Sequence, residues 1–408
     1  PFGRQNYELT SNWMYTLYDY TPGGRLARIT YPSGRTVDYT RDAAGAVTRI
    51  DTTDANGNTT VLAQNIRHDP FGPLRAMTLG NGRLQRYLRD TAYRSRWETS
   101  LPWAKYVQRD ANGNVTWLGD TVTNGAQSFS YDPLDRLTQA SDSEQSFANL
   151  SYTYDANGNR LTETRGTATT PYGYWDNANR LSVVGNQAHL VNDTGETNYI
   201  TTLGILRYDG YGRLTAAPGR NASYTYDALN RRLTKTVAGT KTSFHHGPNG
   251  ELLAEGQGNV LREYIPLDGR PIARIDGSQI YYYHTDALGT VRALSDSAGT
   301  TVWAGLLEPF GAGTVVGSVP NNVRMVGQYW DQETGFFYNW HRYYDPKTGR
   351  YITADPVSVA QHTKAMISRA SRLRKLVSVA AIRQVFRSAI SPAAEFNMGH
   401  LLFPIPES

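Results

Sequence analysis

Across most of the chain, apolar and polar positions alternate in short runs. Phe129-Ser130-Tyr131 and Leu137-Thr138-Gln139-Ala140 are examples. Alternation of this kind sends every second side chain to the same face of a strand, which suits a sheet with one buried face. The runs are cut by glycine, asparagine and proline, which supply positive φ or a preset turn geometry. With 38 Gly and 19 Pro in the chain, turns must be frequent. The pattern predicts many short antiparallel strands, with one exception near the C-terminus. Segment 363–390 lacks Gly and Pro, and Met366, Ala370, Leu373, Val377 and Ala380 follow three-to-four spacing, so a helix is predicted there.

The strand pattern is itself repeated. The clearest unit is YTYDANGNRLTETR at 152–165, with relatives at 37–50, 107–118, 129–140, 174–184, 206–217 and 224–236 and a more distant copy at 283–294. Each unit reads Tyr-Asp, two variable residues, a Gly or Asn turn, Arg, then an apolar residue. The marker aspartates Asp19 and Asp42 lie 23 residues apart, and Asp110, Asp132, Asp155 and Asp176 follow at steps of 22, 23 and 21. Later steps are irregular. An aspartate can bond its own backbone two residues on, and Asn-Gly accepts positive φ at low cost, so each unit is predicted to be a hairpin. Successive hairpins build one long antiparallel ribbon, which must curl or close to bury its apolar face.

Composition sharpens this picture. Of 408 residues, 28 are tyrosine, which favours strands. There is no cysteine, so disulfides and thiolate metal sites are excluded. No run of about 18 apolar residues occurs, so a membrane-spanning helix is not expected. No signal-peptide pattern is visible, and the opening PFGRQNYELT falls in mid-pattern, which predicts further sequence upstream. Charge is uneven. Residues 360–408 hold seven Lys and Arg against Glu395 and Glu407, which accounts for the whole formal charge of +5. The body is neutral and the tail is basic. A basic amphipathic helix suits an anionic membrane or nucleic acid, and equally a solvated helix packed on the body.

Candidate chemistry is sparse. No HExxH, GxxxxGK or GxSxG occurs, and nothing announces a cofactor or metal site. His245-His246 precedes the turn GPNG and reads as a strand pair. Near the end, RYYDPKTGRYITADPVSVA at 342–360 places Asp345-Pro346 and Asp355-Pro356 ten residues apart. Asp69-Pro70 and Asp132-Pro133 occur at ordinary repeat positions, so by spacing alone these pairs are turns. A close carboxylate pair could instead share a proton, one acting as acid and the other as base, with Arg342 orienting one of them. The cluster Tyr329, Trp330, Phe336, Phe337, Tyr338 and Trp340 reads as core packing. An extracellular carbohydrate-binding or adhesion module with no proteolysis is the competing class, for which the cluster would be a sugar-stacking surface.

The repeats over 18–294, together with RMVGQYWDQETGFFYNWHRYYDPKTGRYITADP at 324–356, resemble the YD-repeat proteins of the Rhs family, which includes wall-associated proteins, teneurins and toxin-complex C components. The resemblance implies a mainly β fold, an antiparallel strip of hairpins spiralling into a hollow shell, of which this chain supplies part. Residues 1–318 would be shell, 319–359 an autoprotease-like plug, and 360–408 a variable basic tail. It also implies an aspartyl self-cleavage by Asp345, Asp355 and Arg342, with the cut after Val359 releasing Ala360–Ser408. Ser358 stands where the family pattern has Gly, which predicts a slowed or disabled site. Implied partners are the tail as cargo, an upstream shell segment or a secretion-machinery spike, and an immunity protein for the cargo. The implied setting is secreted or cell-surface toxin delivery in competition between bacteria.

Overall fold

A computed structural model describes residues 7–9, 15–70, 72–100, 103–120, 125–144, 147–175, 179–258, 260–325 and 327–354. Within each sheet every strand pairs antiparallel with the next one along the chain. Pairing runs from Tyr7–Leu9 to Gly204–Ile205 as a 20-stranded sheet and from Arg207–Tyr208 to Gly313–Gly317 as a 12-stranded sheet. A four-stranded sheet follows, made of Tyr329–Asp331, Phe336–Asn339, Arg342–Asp345 and Arg350–Tyr351. Among the described residues the only helical turn is the 3-10 segment Pro218–Arg220. The helix expected over 363–390 lies outside the described residues.

The Tyr-Asp unit has a local cause. In the unit at Asp132, Oδ1 accepts the N–H groups of Leu134 and Arg136, both at 2.9 Å. The Asp132 N–H donates to the Arg136 carbonyl, and its own carbonyl accepts the Asp135 N–H. The third residue after the aspartate must be left-handed: Gly113 has φ 89°, Gly158 85°, Asp135 59° and Asn230 64°. Gly, Asn and Asp tolerate that conformation best, which is why they recur there.

The tyrosine and arginine then lock neighbouring units together. Tyr131 Oη donates to the Val115 carbonyl at 2.8 Å, Tyr154 to Leu137 at 2.7 Å, and Tyr226 to Leu214 at 2.6 Å. Each of these tyrosines precedes a repeat aspartate, and each carbonyl is the fifth after the preceding one. Arg136 Nη1 reaches forward to the Asp155 carbonyl at 2.7 Å. Within each long sheet the Tyr-Asp turns follow alternate strands and so line one rim, while Asp54 and Asp296 make the same turn on the opposite rim.

The expected single ribbon is interrupted once. Leu206 donates its N–H back to Asn198, whereas Arg207 and Tyr208 pair forward with Ala216 and Leu214. One short stretch thus closes the first sheet and opens the second. The two sheets pack face to face through Ile29, Ile50, Leu62, Leu74 and Met77 against Leu253, Ile265, Ile272 and Ile275. Full burial of an aliphatic chain contributes about 1.5–3 kcal/mol, so this layer stabilises the fold strongly. Polar bonds fix its register: Tyr31 Oη donates to the Tyr264 carbonyl at 2.8 Å, and Tyr87 Oη to that of Thr285 at 2.9 Å. His284 bridges the sheets, with Nδ1 at 2.7 Å from Ser100 Oγ and Nε2 at 2.7 Å from Ser295 Oγ. A second cluster joins Phe244, Tyr283, Trp303 and their neighbours to Tyr329, Phe336, Tyr338 and Tyr343 of the C-terminal sheet.

Candidate functional site

The C-terminal sheet is built from a duplicated turn. Asp331-Gln332-Glu333-Thr334-Gly335 and Asp345-Pro346-Lys347-Thr348-Gly349 each close a hairpin by a bond from the glycine N–H to the aspartate carbonyl, at 2.8 and 2.9 Å. Both aspartates are buried.

Asp345 is therefore a turn residue and a buried carboxyl at once. Its Oδ1 accepts the Lys347 N–H at 3.0 Å and its Oδ2 the Thr348 hydroxyl at 2.9 Å. Burial pushes the carboxyl above its ordinary range, against the opposing pull of the Thr348 hydroxyl, the Lys347 N–H and the nearby His189 and Lys347 charges. His189, on Gln187–Val191, is itself buried, and burial pulls its imidazole below the usual value.

Arg342 stands three residues before Asp345 on the same strand, so their side chains leave opposite faces. Its guanidinium lies 3.8 Å from the centre of the Tyr351 ring. The strand thus does not bring Arg342 to Asp345. Asp355, Val359 and Ala360 lie outside the described residues. The chain runs toward them along the first sheet: the Thr197 N–H donates to the Ile352 carbonyl at 2.7 Å, and Ala354 stands beside Gly195.

Opposite this sheet stand two buried arginines that sequence reasoning missed. Arg232 Nη1 bonds Asp331 Oδ2 and, at 3.1 Å, Tyr343 Oη. Lys235 Nζ meets Asp331 Oδ1 at 2.9 Å and Glu333 Oε2 at 3.2 Å. The Arg232 guanidinium is enclosed by Phe244 and Tyr338 at 4.4 Å, Tyr329 at 5.1 Å and Tyr224 at 5.7 Å. Arg160 makes a parallel arrangement at the other turn. Its Nη1 bonds Glu163 Oε2 at 2.8 Å, Tyr172 Oη at 3.2 Å and the Lys347 carbonyl at 3.4 Å. Phe310, Tyr152 and Tyr172 surround it at 4.4, 4.6 and 5.3 Å.

A sequence signal for these arginines existed. The fifth residue after a repeat aspartate is apolar and buried at Val47, Leu74, Leu137, Leu181, Leu214 and Val291. Arginine occupies that inward place after Asp155 and after Asp227.

Two further features border the site. Trp340 holds φ at 50°, an unusual conformation for a bulky residue. Its indole lies so close over Gly250 that a Cβ there would come within 2.1 Å of the ring. Trp340 also borders a cavity of about 370 Å³ between both long sheets and the C-terminal sheet, walled by Tyr39, Arg41, Phe244, Tyr264 and Tyr329. Tyr329, Phe336, Phe337 and Tyr338 are buried packing residues, as the reading of that cluster as core expects. His245 and His246 are buried on the strand Thr240–His246. Among the described residues no group of acidic or histidine side chains is arranged to hold a metal.

Comparison with known proteins places this geometry. The family model described as Teneurin YD-shell matches residues 83–375, and that of the RHS Repeat matches 20–59. The tRNA nuclease WapA of Bacillus subtilis (strain 168) is 31% identical over 225 residues, covering 51% of this chain and 10% of its own. Toxin protein Tse5 of Pseudomonas aeruginosa is 26% identical over 406 residues, covering 79% of this chain and 29% of its own. The chain thus spans a minor part of these two relatives. Among solved structures, the TcdB2-TccC3-Cdc42 crystal structure superposes with a TM-score of 0.73 at 18% identity, over 93% of this chain and 22% of the other. TcdB2-TccC3 without its hypervariable C-terminal region gives 0.68 at 18% identity, over 84% and 20%. At that identity the likeness is one of fold.

Proposed function

The chain belongs to the teneurin YD-shell family, and on that footing we propose that it forms part of an Rhs-type β-shell which encloses its own C-terminal polypeptide and cuts it free after Val359. Toxin and nuclease relatives support a harmful cargo, with residues 360–408 as the cargo or its remnant. Delivery outside the producing cell, an upstream shell segment or secretion spike, and an immunity protein belong to the same reading. The basic tail, once free, would meet an anionic membrane or nucleic acid.

The observation that carries self-cleavage is the Asp345 carboxyl, buried and biased toward its protonated form. Burial that favours the protonated form suits Asp345 to the role of acid, and an ionised Asp355 would be the matching base. The base takes a proton from water, whose oxygen adds to the Val359 carbonyl carbon. The acid then gives its proton to the Ala360 nitrogen as the C–N bond breaks. Arg342 is the cation assigned to orient Asp355.

Intact mass of the purified chain tests this, alongside Asp345→Asn, Asp355→Asn and Ser358→Gly. The expected result is loss of residues 360–408 in the parent, slow because of Ser358, faster in Ser358→Gly and absent in both Asn variants. Cleavage that persists in both Asn variants would refute the carboxylate pair.

A further inference from the structure

The buried arginines Arg160 and Arg232 break the apolar rule of the strip, and each ends on one Asp-x-x-Thr-Gly turn. We propose that they form two sockets on the inner wall, each selective for one of these turns, and that Arg160 is through its socket the positioning residue for the Asp345 carboxyl. The second half rests on the self-cleavage reading; the first stands without it.

A guanidinium in the place of a core leucine loses its hydration, which destabilises the fold unless something compensates it there. At Arg232 the compensation comes mainly from the C-terminal sheet, whereas at Arg160 the counter-charge is Glu163 of its own strand and the C-terminal sheet adds the Lys347 carbonyl. Arg232 meets Asp331 and four rings, two of them, Tyr329 and Tyr338, contributed by that sheet. Arg160 meets the Lys347 carbonyl and three rings of the strip and of the loop carrying Phe310.

The sockets also differ in charge in a matched way. Three residues after Arg232 stands Lys235, and the turn it holds carries Glu333, with which it pairs at 3.2 Å. Three residues after Arg160 stands Glu163, bonded to Arg160, and the turn held there carries Lys347. Exchanging the turns would set Glu333 near Glu163 and Lys347 near Lys235. Glu333 and Glu163 are both largely buried, so their repulsion would disfavour the wrong seating, while Lys347 is exposed and adds little.

The link to Asp345 is short. Arg160 grips Lys347 by its carbonyl, and the N–H of the same residue is one of the two donors to the Asp345 carboxyl. On the other side of the turn, a side chain at Gly349 would come within 3.1 Å of Arg160 Nη2, so the guanidinium fills the space under the turn. Loosening Lys347 frees the carboxyl to rotate.

The test uses the full chain with Arg160→Leu, Arg232→Leu and Arg160→Lys, leucine being what other repeats carry at that place. Readouts are amide hydrogen exchange of 331–335 and 345–349, the 13C titration of the Asp345 carboxyl, and the rate at which mass is lost. Arg160→Leu is expected to speed exchange at 345–349 by about tenfold with little change at 331–335, and Arg232→Leu to do the reverse. Arg160→Leu should also shift the Asp345 titration and slow release of 360–408 by about a hundredfold. Exchange that rises equally at both turns in either Leu variant would overturn the sockets. Should Arg160→Leu fail to fold, Arg160→Lys keeps the charge but loses the planar fork; an Asp345 titration identical to the parent's in that variant would overturn the positioning role. A parent that keeps its full mass ends the self-cleavage reading alone, while exchange and titration still decide the sockets.

Discussion

Replacing Asp331 by alanine should be among the most damaging changes in this protein. Asp331 and Arg232 are both fully buried, and the carboxylate takes Arg232 on one oxygen and Lys235 on the other. In Asp331→Ala, Lys235 retains Glu333, but Arg232 keeps only Tyr343 Oη and its ring cage. Removing one partner of a buried pair costs about 3–5 kcal/mol, because the other charge stays buried and uncompensated. The cage offsets part of this, since a desolvated cation–π contact is worth about 2 kcal/mol. A net loss of about 2 kcal/mol is expected from urea unfolding at pH 7 followed by near-UV circular dichroism. The decisive comparison adds Arg232→Leu to Asp331→Ala. With the stranded charge gone, the double variant should be more stable than Asp331→Ala by at least about 1 kcal/mol. A single-variant loss under about 1 kcal/mol, or a double variant whose cost is the sum of the two singles, would refute the buried-pair reasoning.

Acid should weaken the shell through its histidines. Burial pulls His245 and His246 down to about 4 and His284 to about 3, so the fold favours their neutral forms. The stability they contribute is complete above the unfolded value of about 6.5 and is lost as pH falls below it, by about 1.4 kcal/mol per unit for each histidine. The buried carboxyls Asp345, Glu98 and Glu263, pushed upward, offset part of that. The urea midpoint at pH 5 should therefore fall below that at pH 7, and an unchanged midpoint would count against the assignment. Tyr154→Phe removes one clasp between repeats and should cost about 1 kcal/mol in thermal unfolding, whereas a neutral result would show the bond replaced by water. Trp340→Gly relieves a left-handed φ yet empties the contact over Gly250; if packing outweighs strain, as the close fit suggests, the melting temperature falls, and a rise would reverse that ranking.

Local chemistry was legible in the sequence, and long-range chemistry was not. The Tyr-Asp hairpins could be read because every bond of the turn at Asp132 lies within five consecutive residues. Asp345 could be read as a turn residue for the same reason, and as a candidate acid mainly through the resemblance of the segment around it. Its burial comes from the body of the strip. The interruption at Leu206 has no signal of its own, because a strand that pairs backward and then forward has the composition of any other. The pairing of Arg232 with Asp331 spans 99 residues, so nothing near either one announces it. An arginine in a column of valines and leucines was the trace it left.

The clasp between repeats has a consequence for how such a strip can change length over generations. Each clasping tyrosine reaches only the unit before it, and within a sheet the turns that follow these tyrosines share one rim. Gaining or losing two strands leaves every other unit with the neighbours and the rim it had. Gaining or losing one would send all later aspartates to the opposite rim and strip each tyrosine there of its acceptor. Copy number in this architecture is therefore free to drift only by even counts of strands, and a lineage can enlarge its container without redesigning its ends.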